Sequence, residues 1–141
     1  YIMVNYWLVK QEPNEYNYDD LVKEGQTMWD GVHNNFALKN IGKMESGDLS
    51  FLYHSGKEKQ IVGVIKIISN SYSNPDEDNA RFIVVDVKPN FKLDNPVTLS
   101  KIKSMDVFKE WHLVKISRLS VMSVPKNIWD KIIELSKLNT E

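Results

Sequence analysis

Three short stretches hold the residues that could do chemistry in this chain. Lys10 and Glu12 close a first apolar run, Trp29, Asp30 and Asn34 flank Gly31, and Tyr53, His54 and Ser55 end a second apolar run. Aromatic rings beside an amide, carboxylates and a hydroxyl are what a pocket for a flat, polar heterocycle needs. Ring faces supply stacking, and the donors and acceptors read the edge. The same residues admit a plainer account. Trp29 and Tyr53 can be core, Asp30 beside Gly31 can be a turn residue, and Lys10 with Glu12 can be a solvated pair at a strand end. Composition and periodicity do not choose between the two.

Other chemistries find less support. Ser55, His54 and Asp30 could be drawn as a hydrolytic triad, but adjacent Ser and His side chains on a strand point to opposite faces, and no nucleophile elbow precedes Ser55. Asp30 or His54 could instead serve as general base in an enzyme acting on a nucleoside. The three histidines, His33, His54 and His112, lie far apart with no His-x3-His pair, so no metal site is expected. Neither a P-loop nor a Rossmann glycine pattern is present, and no cofactor is expected.

The elements that must position these residues follow from local pattern. Residues 6–11 read as a strand ended by Glu12-Pro13. Asn17 caps a helix that carries Asp19 and Asp20 in its first turn and stops at Gly25. Residues 28–32 form a short extended segment with a sharp bend. Asn34 or Asn35 then starts a second helix, with Phe36, Leu38 and Ile41 as apolar positions. Alternation over Leu49, Phe51 and Tyr53 predicts a strand. Residues 56–60 form a hairpin loop, and residues 61–68, apolar on both faces, a central strand. Residues 69–79 read as a surface loop, 81–88 as a buried strand and 89–96 as a loop. Thr98 caps a short helix with Leu99 and Ile102, 115–121 form a last strand, and Pro125 opens a C-terminal helix. Clustered strands with hairpin-length links predict an α+β fold, a mixed sheet curled into a barrel with helices around it.

Composition bounds the rest. At 141 residues the chain makes one domain, 1–141, and should bury about two thirds of its unfolded surface. Zero cysteines exclude a disulfide scaffold, a thiol nucleophile and cysteine-ligated zinc or iron–sulfur. Eighteen Lys+Arg against nineteen Asp+Glu leave a net charge of −1, which excludes bulk polybasic attraction to nucleic acid or membrane. Nucleic-acid binding would have to come from a local, shaped pocket. No apolar stretch approaches a membrane span, and residues 1–5 lack the features of a secretory signal. The expected location is cytoplasmic, or nuclear in a eukaryote.

Several ungapped motifs carry a resemblance that covers nearly the whole chain. Tyr6-Trp7-Leu8-Val9-Lys10-Gln11-Glu12-Pro13 resembles the opening of the EVE domain family. Trp29-Asp30-Gly31-Val32-His33-Asn34 is similar to that family's Trp-Asp-Gly-Val-Arg-Asn signature, and residues 47–55 to its Gly-Asp-x-x-Phe-Phe-Tyr-His-Ser strand. Ile61-Val62-Gly63-Val64, Val84-Val85-Asp86-Val87 and Arg118-Leu119-Ser120-Val121 match further segments in family order.

The resemblance implies a PUA-like twisted, mixed barrel of about five strands flanked by helices, akin to YTH and ASCH domains. It also implies recognition of a modified nucleobase, chiefly modified cytosine in DNA, by accepting a flipped base without catalysis. Carried over by position, Trp29 and Tyr53 would be cage walls, with Asp30 and Asn34 reading base edges. Lys10, Glu12, His54 and Ser55 would line the rim or hold those groups, while Trp7 and Gly31 would be structural. Trp29→Ala would then abolish binding with the thermal midpoint nearly unchanged. Modified RNA is the alternative polymer, and a protein-interaction module with a vestigial pocket is a further one. The chain departs from the family pattern at His33, which replaces a permanent cation, at Gln11, and in a shortened insert where Phe82 stands for Trp.

Overall fold

The computed structural model describes residues 3–138. Strand β1 (Tyr6–Gln11) leads through residues 12–17 into α1 (Tyr18–Glu24). Asn17 caps that helix: its side chain accepts from the Asp20 N–H at 2.8 Å, and the Asp20 carboxylate accepts from the Asn17 N–H at 3.0 Å. This reciprocal box satisfies two otherwise orphaned donors and sets where the preceding loop must end. Strand β2 (Thr27–Trp29) follows, then α2 (Asn35–Gly42), capped by Asn34 through a 3.1 Å bond from the Ala37 N–H.

Strands β3 (Leu49–His54) and β4 (Gln60–Ile67) form a hairpin, and β5 (Tyr72–Ser73) adds to β6 (Ile83–Thr98). Helix α3 (Leu99–Lys103), a 3-10 turn at Asp106–Phe108, α4 (His112–Lys115), β7 (Val121–Ser123) and α5 (Lys126–Ser136) complete the chain. The sheet runs β2-β6-β4-β3-β1-β7, with β5 on β6. Only β1 and β3 pair in parallel among the described strands. A parallel pair needs a long crossover, which α1, β2 and α2 supply. The result is a curled half-barrel of seven strands, where about five were expected.

Two expectations from local pattern change. Residues 83–98 form one strand, although Pro89 and Pro96 predict a loop over 89–96. Register shifts opposite β4, between Ile61 and Gly63 and between Val64 and Ile65, absorb both prolines. A proline without an N–H is tolerated where the ladder is interrupted, and the same irregularities curl the sheet. The last strand is Val121–Ser123, with Lys115 ending α4. Its partner β1 pairs only with Val121, Met122 and Ser123, so pairing rather than residues 115–120 decides where it starts.

Alternation gives the sheet two faces. Leu8, Phe51 and Val64 share one, where the Trp129 indole of α5 stacks on Phe51 at 3.8 Å between centroids. Val9, Leu52 and Gly63 share the other, covered by Tyr18 of α1. Gly63 is required there, because a Cβ would lie 2.5 Å from the Tyr18 ring and 3.1 Å from the Phe91 carbonyl oxygen. Asp48 is 2 % exposed and accepts from Trp7 Nε1 (3.0 Å) and from the Asn5 and Glu45 N–H groups (3.2 and 3.0 Å). Trp7 is therefore structural, as expected. Among the described residues no helix is long and apolar enough to cross a membrane.

Candidate functional site

The end of β1, the loop that follows it and β2 converge on a recess. The loop turns back because the Glu12 carbonyl accepts from both the Glu15 and Tyr16 N–H groups, each at 3.0 Å. This brings Glu15 and Tyr16 over the end of β1, where Gln11 sits. From the other side, β2 is held antiparallel to β6 with Trp29 opposite Val85. Asp30 follows, and Gly31 takes φ +79°, a left-handed conformation that side chains resist. The cavity is about 250 Å³ and is lined by Gln11, Glu15, Tyr16, Thr27, Met28, Trp29 and Asp30.

Its walls are perpendicular aromatics. Trp29 is 5 % exposed, and Tyr16 meets it edge-on at 6.5 Å between centroids and 76° between planes. The Tyr16 hydroxyl is buried beside the Glu24 and Thr27 side chains, with no partner in well-formed hydrogen-bond geometry, an arrangement that costs free energy. Burial first, and then the nearby Glu24 carboxylate, hold its pKa above the ordinary phenol value. Tyr16 therefore remains a neutral donor at physiological pH. Asp30 and Glu15 are exposed acceptors on the rim. A recess of this volume, lined by two aromatic residues, an amide and two carboxylates, can hold one flat heterocycle. It lies just below the ~300–1,000 Å³ of sites for drug-sized ligands.

The expected site residues distribute unevenly. Trp29 and Asp30 line this recess; Tyr53 does not. Tyr53 lies in register with Lys10, on the face of β1 opposite Gln11. It is 3 % exposed, and burial raises its pKa. The Lys10 ammonium sits 5.5 Å from the Tyr53 ring centroid, donates to the Ser117 carbonyl at 2.9 Å, and has its pKa lowered by burial. A Trp29–Tyr53 slot is thus not assembled; Tyr16 provides the second ring.

The remaining candidates do not line this recess. The Asn34 side-chain oxygen caps α2. The Glu12 carboxylate accepts from the Asn14 N–H at 3.2 Å and packs over Gly56, where a Cβ would overlap it. The Ser55 N–H extends the β1–β3 ladder by donating to the Gln11 carbonyl at 2.9 Å.

His54 is 6 % exposed and faces a second, 390 Å³ recess bordered by Asp19, Glu58 and Lys92. Its Nε2 accepts from the Tyr18 N–H at 3.2 Å, which leaves the proton on Nδ1 to donate to Glu58 at 3.0 Å. Both ring nitrogens are occupied, so His54 is not poised as a free base. No group of three metal-ligating side chains occurs among the described residues.

Tyr16, Glu15 and Gln11 escaped the sequence expectation. The available signal was Tyr16's place directly before the Asn17 cap, where the chain's direction is set by the capping box.

Comparison with known proteins places this geometry in context. A family model described as the EVE domain matches residues 5–135. A protein of Rhodopseudomonas palustris solved by NMR superposes with a TM-score of 0.91 at 36% identity, covering 98% of this chain and 97% of that one. Human THYN1 protein in complex with 5-methylcytosine containing DNA superposes at 0.89 with 26% identity, covering 96% and 99%. The YTH domain of Zygosaccharomyces rouxii MRB1 protein, in complex with N6-methyladenosine RNA, superposes at 0.59 with 18% identity over 100% and 94%, a likeness of fold alone. The curled mixed sheet with its flanking helices is that PUA-like architecture.

Proposed function

Because this chain belongs to the EVE domain family, we propose that it binds nucleic acid as a single, non-catalytic module, taking a modified base, a modified cytosine of DNA, into the Trp29–Tyr16 recess. The observation that carries this function is the recess itself. At about 250 Å³ it has room for one base, its lining includes Trp29 and Tyr16, and the carboxylates of Asp30 and Glu15 stand unpaired at its mouth. Extruding a base from a duplex costs a few kcal/mol, which stacking and edge hydrogen bonds offset. Human THYN1 in complex with 5-methylcytosine containing DNA supports the choice of ligand class.

The side chains assign themselves by chemistry. Trp29 supplies the stacking face, Tyr16 a phenol edge and donor, Asp30 and Glu15 acceptors for exocyclic amino hydrogens, and Gln11 an amide able to serve in both senses. Absence of catalysis is supported by His54, whose two nitrogens are engaged by Tyr18 and Glu58 on a different recess.

Titration by fluorescence anisotropy of oligonucleotides that differ only in one 5-methylcytosine tests the proposal. Tighter binding of the modified strand, lost in Tyr16→Ala, is the expected result. Equal affinity for modified and plain strands overturns it. A ribose version of the same strand decides the polymer.

A further inference from the structure

Among the aspartates and asparagines of the chain, Asp30 alone is followed by a glycine. The pair stands just past a strand: β2 ends at Trp29, opposite Val85, and residues 30–34 carry no regular structure before α2 begins at Asn35. Both Asp30 and Gly31 are exposed. Among the described residues the Gly31 N–H donates to no main-chain carbonyl, and the Asp30 carboxylate has no ion-pair partner. A Cβ placed on Gly31 would meet nothing within 4 Å, so space is open on that side of the bend.

These features set a nucleophile beside an electrophile. A main-chain nitrogen can close a five-membered ring onto the carboxyl of the aspartate before it, and such a closure is intramolecular and entropically favoured. Two obstacles usually prevent it. The next residue's side chain crowds the nitrogen, and helix or strand bonds hold its N–H. Gly31 presents neither obstacle. Elsewhere at least one stands. Asp76 and Asp78 precede residues with side chains, and Asp19, Asp20 and Asp130 lie in helices. Asp86 and Asp94 lie within β6, and Asp48 is buried and accepts from three N–H donors.

We infer that Asp30 is a site of spontaneous isomerisation to isoaspartate through a cyclic imide. The Gly31 nitrogen attacks Asp30 Cγ. The N–Cγ bond forms, one carboxyl C–O bond breaks, and the amide proton leaves with the carboxyl hydroxyl as water. Water then re-enters at either imide carbonyl. Entry at the former main-chain carbonyl leaves the chain running through Cγ, one methylene longer, with the free carboxylate on Cα. Water is the only co-reactant. The added methylene falls after the last residue of β2, so the ladder to β6 can stand while the carboxylate at the mouth of the recess moves. Nothing in this step depends on what the recess binds.

The wild-type chain, Asp30→Glu and Asp30→Asn, each verified as folded by circular dichroism, are incubated at neutral pH and body temperature. Isoaspartate is counted over time by enzymatic carboxyl methylation with an isoaspartate-specific methyltransferase. Its position is read by electron-transfer fragmentation of proteolytic peptides. The expected result is isoaspartate at residue 30 of the folded wild type, formed at a rate of the same order as in a synthetic peptide of residues 26–33. It should be lost in Asp30→Glu, where closure would need a six-membered ring. It should form faster in Asp30→Asn, because an amide expels ammonia whereas a carboxylate must first take up a proton to expel water. Isoaspartate in the peptide but not in the folded protein overturns the inference, since the bend would then hold the two groups apart. Equal accumulation in wild type and Asp30→Glu also overturns it, since another residue would be the source.

Discussion

The loop at residues 12–17 separates two polar recesses that resemble each other in composition and differ in what their polar atoms are doing. On the α1 side, His54 is bonded at both nitrogens, Glu58 accepts from it, and Asp19 is paired with Lys92 at 2.7 Å. On the β2 side, the Tyr16 hydroxyl has no partner and Asp30 and Glu15 are unpaired among the described residues. The first recess is a joint that docks the helix on the sheet. The second holds interactions in reserve, at a cost to stability that a ligand can recover. Residue type alone draws attention to the first, because a buried histidine beside a carboxylate looks more chemical than a tyrosine in a loop.

Four substitutions or titrations test that contrast. The largest effect should come from Trp29→Ala, which deletes a wall of the open recess that is also core. A loss of about 3–5 kcal/mol is expected by denaturant unfolding. This replaces the expectation of an unchanged thermal midpoint, which the burial of Trp29 excludes. A midpoint within experimental error of wild type would show that the indole is not packed as the structure places it.

His54→Ala should cost about 2 kcal/mol, since it leaves the Tyr18 N–H at the start of α1 without its acceptor. Affinity of the folded protein for a modified oligonucleotide should not change. A selective loss of binding without loss of stability would reverse the assignment of the two recesses.

Tyr16→Phe should behave in the opposite sense. Removing an unpartnered buried hydroxyl leaves stability unchanged or raises it by up to about 1 kcal/mol, while affinity falls. Calorimetric melting and anisotropy on the same preparation read both signs; a destabilised variant with wild-type affinity would place a hidden partner on that hydroxyl.

The smallest effect is the alkaline limb of stability. Burial raises the pKa of Tyr16, Tyr18 and Tyr53 above the ordinary 10.0. The folded state therefore keeps protons that the unfolded chain releases. Their contribution is fully present below pH 10.0 and is lost as pH rises through the folded-state values. Melting followed across that range, with phenolate absorbance, should show stability falling, and Tyr16→Phe should flatten the slope. A flat profile in the wild type would mean that the three phenols are more hydrated than their burial indicates.

Much of the architecture was present in short-range pattern. Asn17 and Asn34 cap the helices that follow them, Thr98 caps α3, and alternation over Leu49, Phe51 and Tyr53 gave β3. These features depend on bonds spanning three or four residues, or on the two-residue repeat of a strand. Residues 89–96 depart from local pattern for the same reason. Two prolines argue locally for a loop, and only the long partner β4, with its register shifts, makes them tolerable in one strand.

The site divides along the same line. The sequence by itself determined that aromatic and acidic residues gather where strands end, that Trp29 and Asp30 flank a bend, and that no cysteine chemistry is available. Which rings meet was decided only in three dimensions. Tyr53 is in the same register row as Lys10, so alternation carries it to the face opposite Gln11, while the turn closed by the Glu12 carbonyl swings Tyr16 against Trp29. Periodicity assigns a side chain to one of two faces, but not to the element that will cover that face. That choice belongs to the packing of α1 and β2 against the sheet, whose contacts join residues far apart in the chain and leave no local trace.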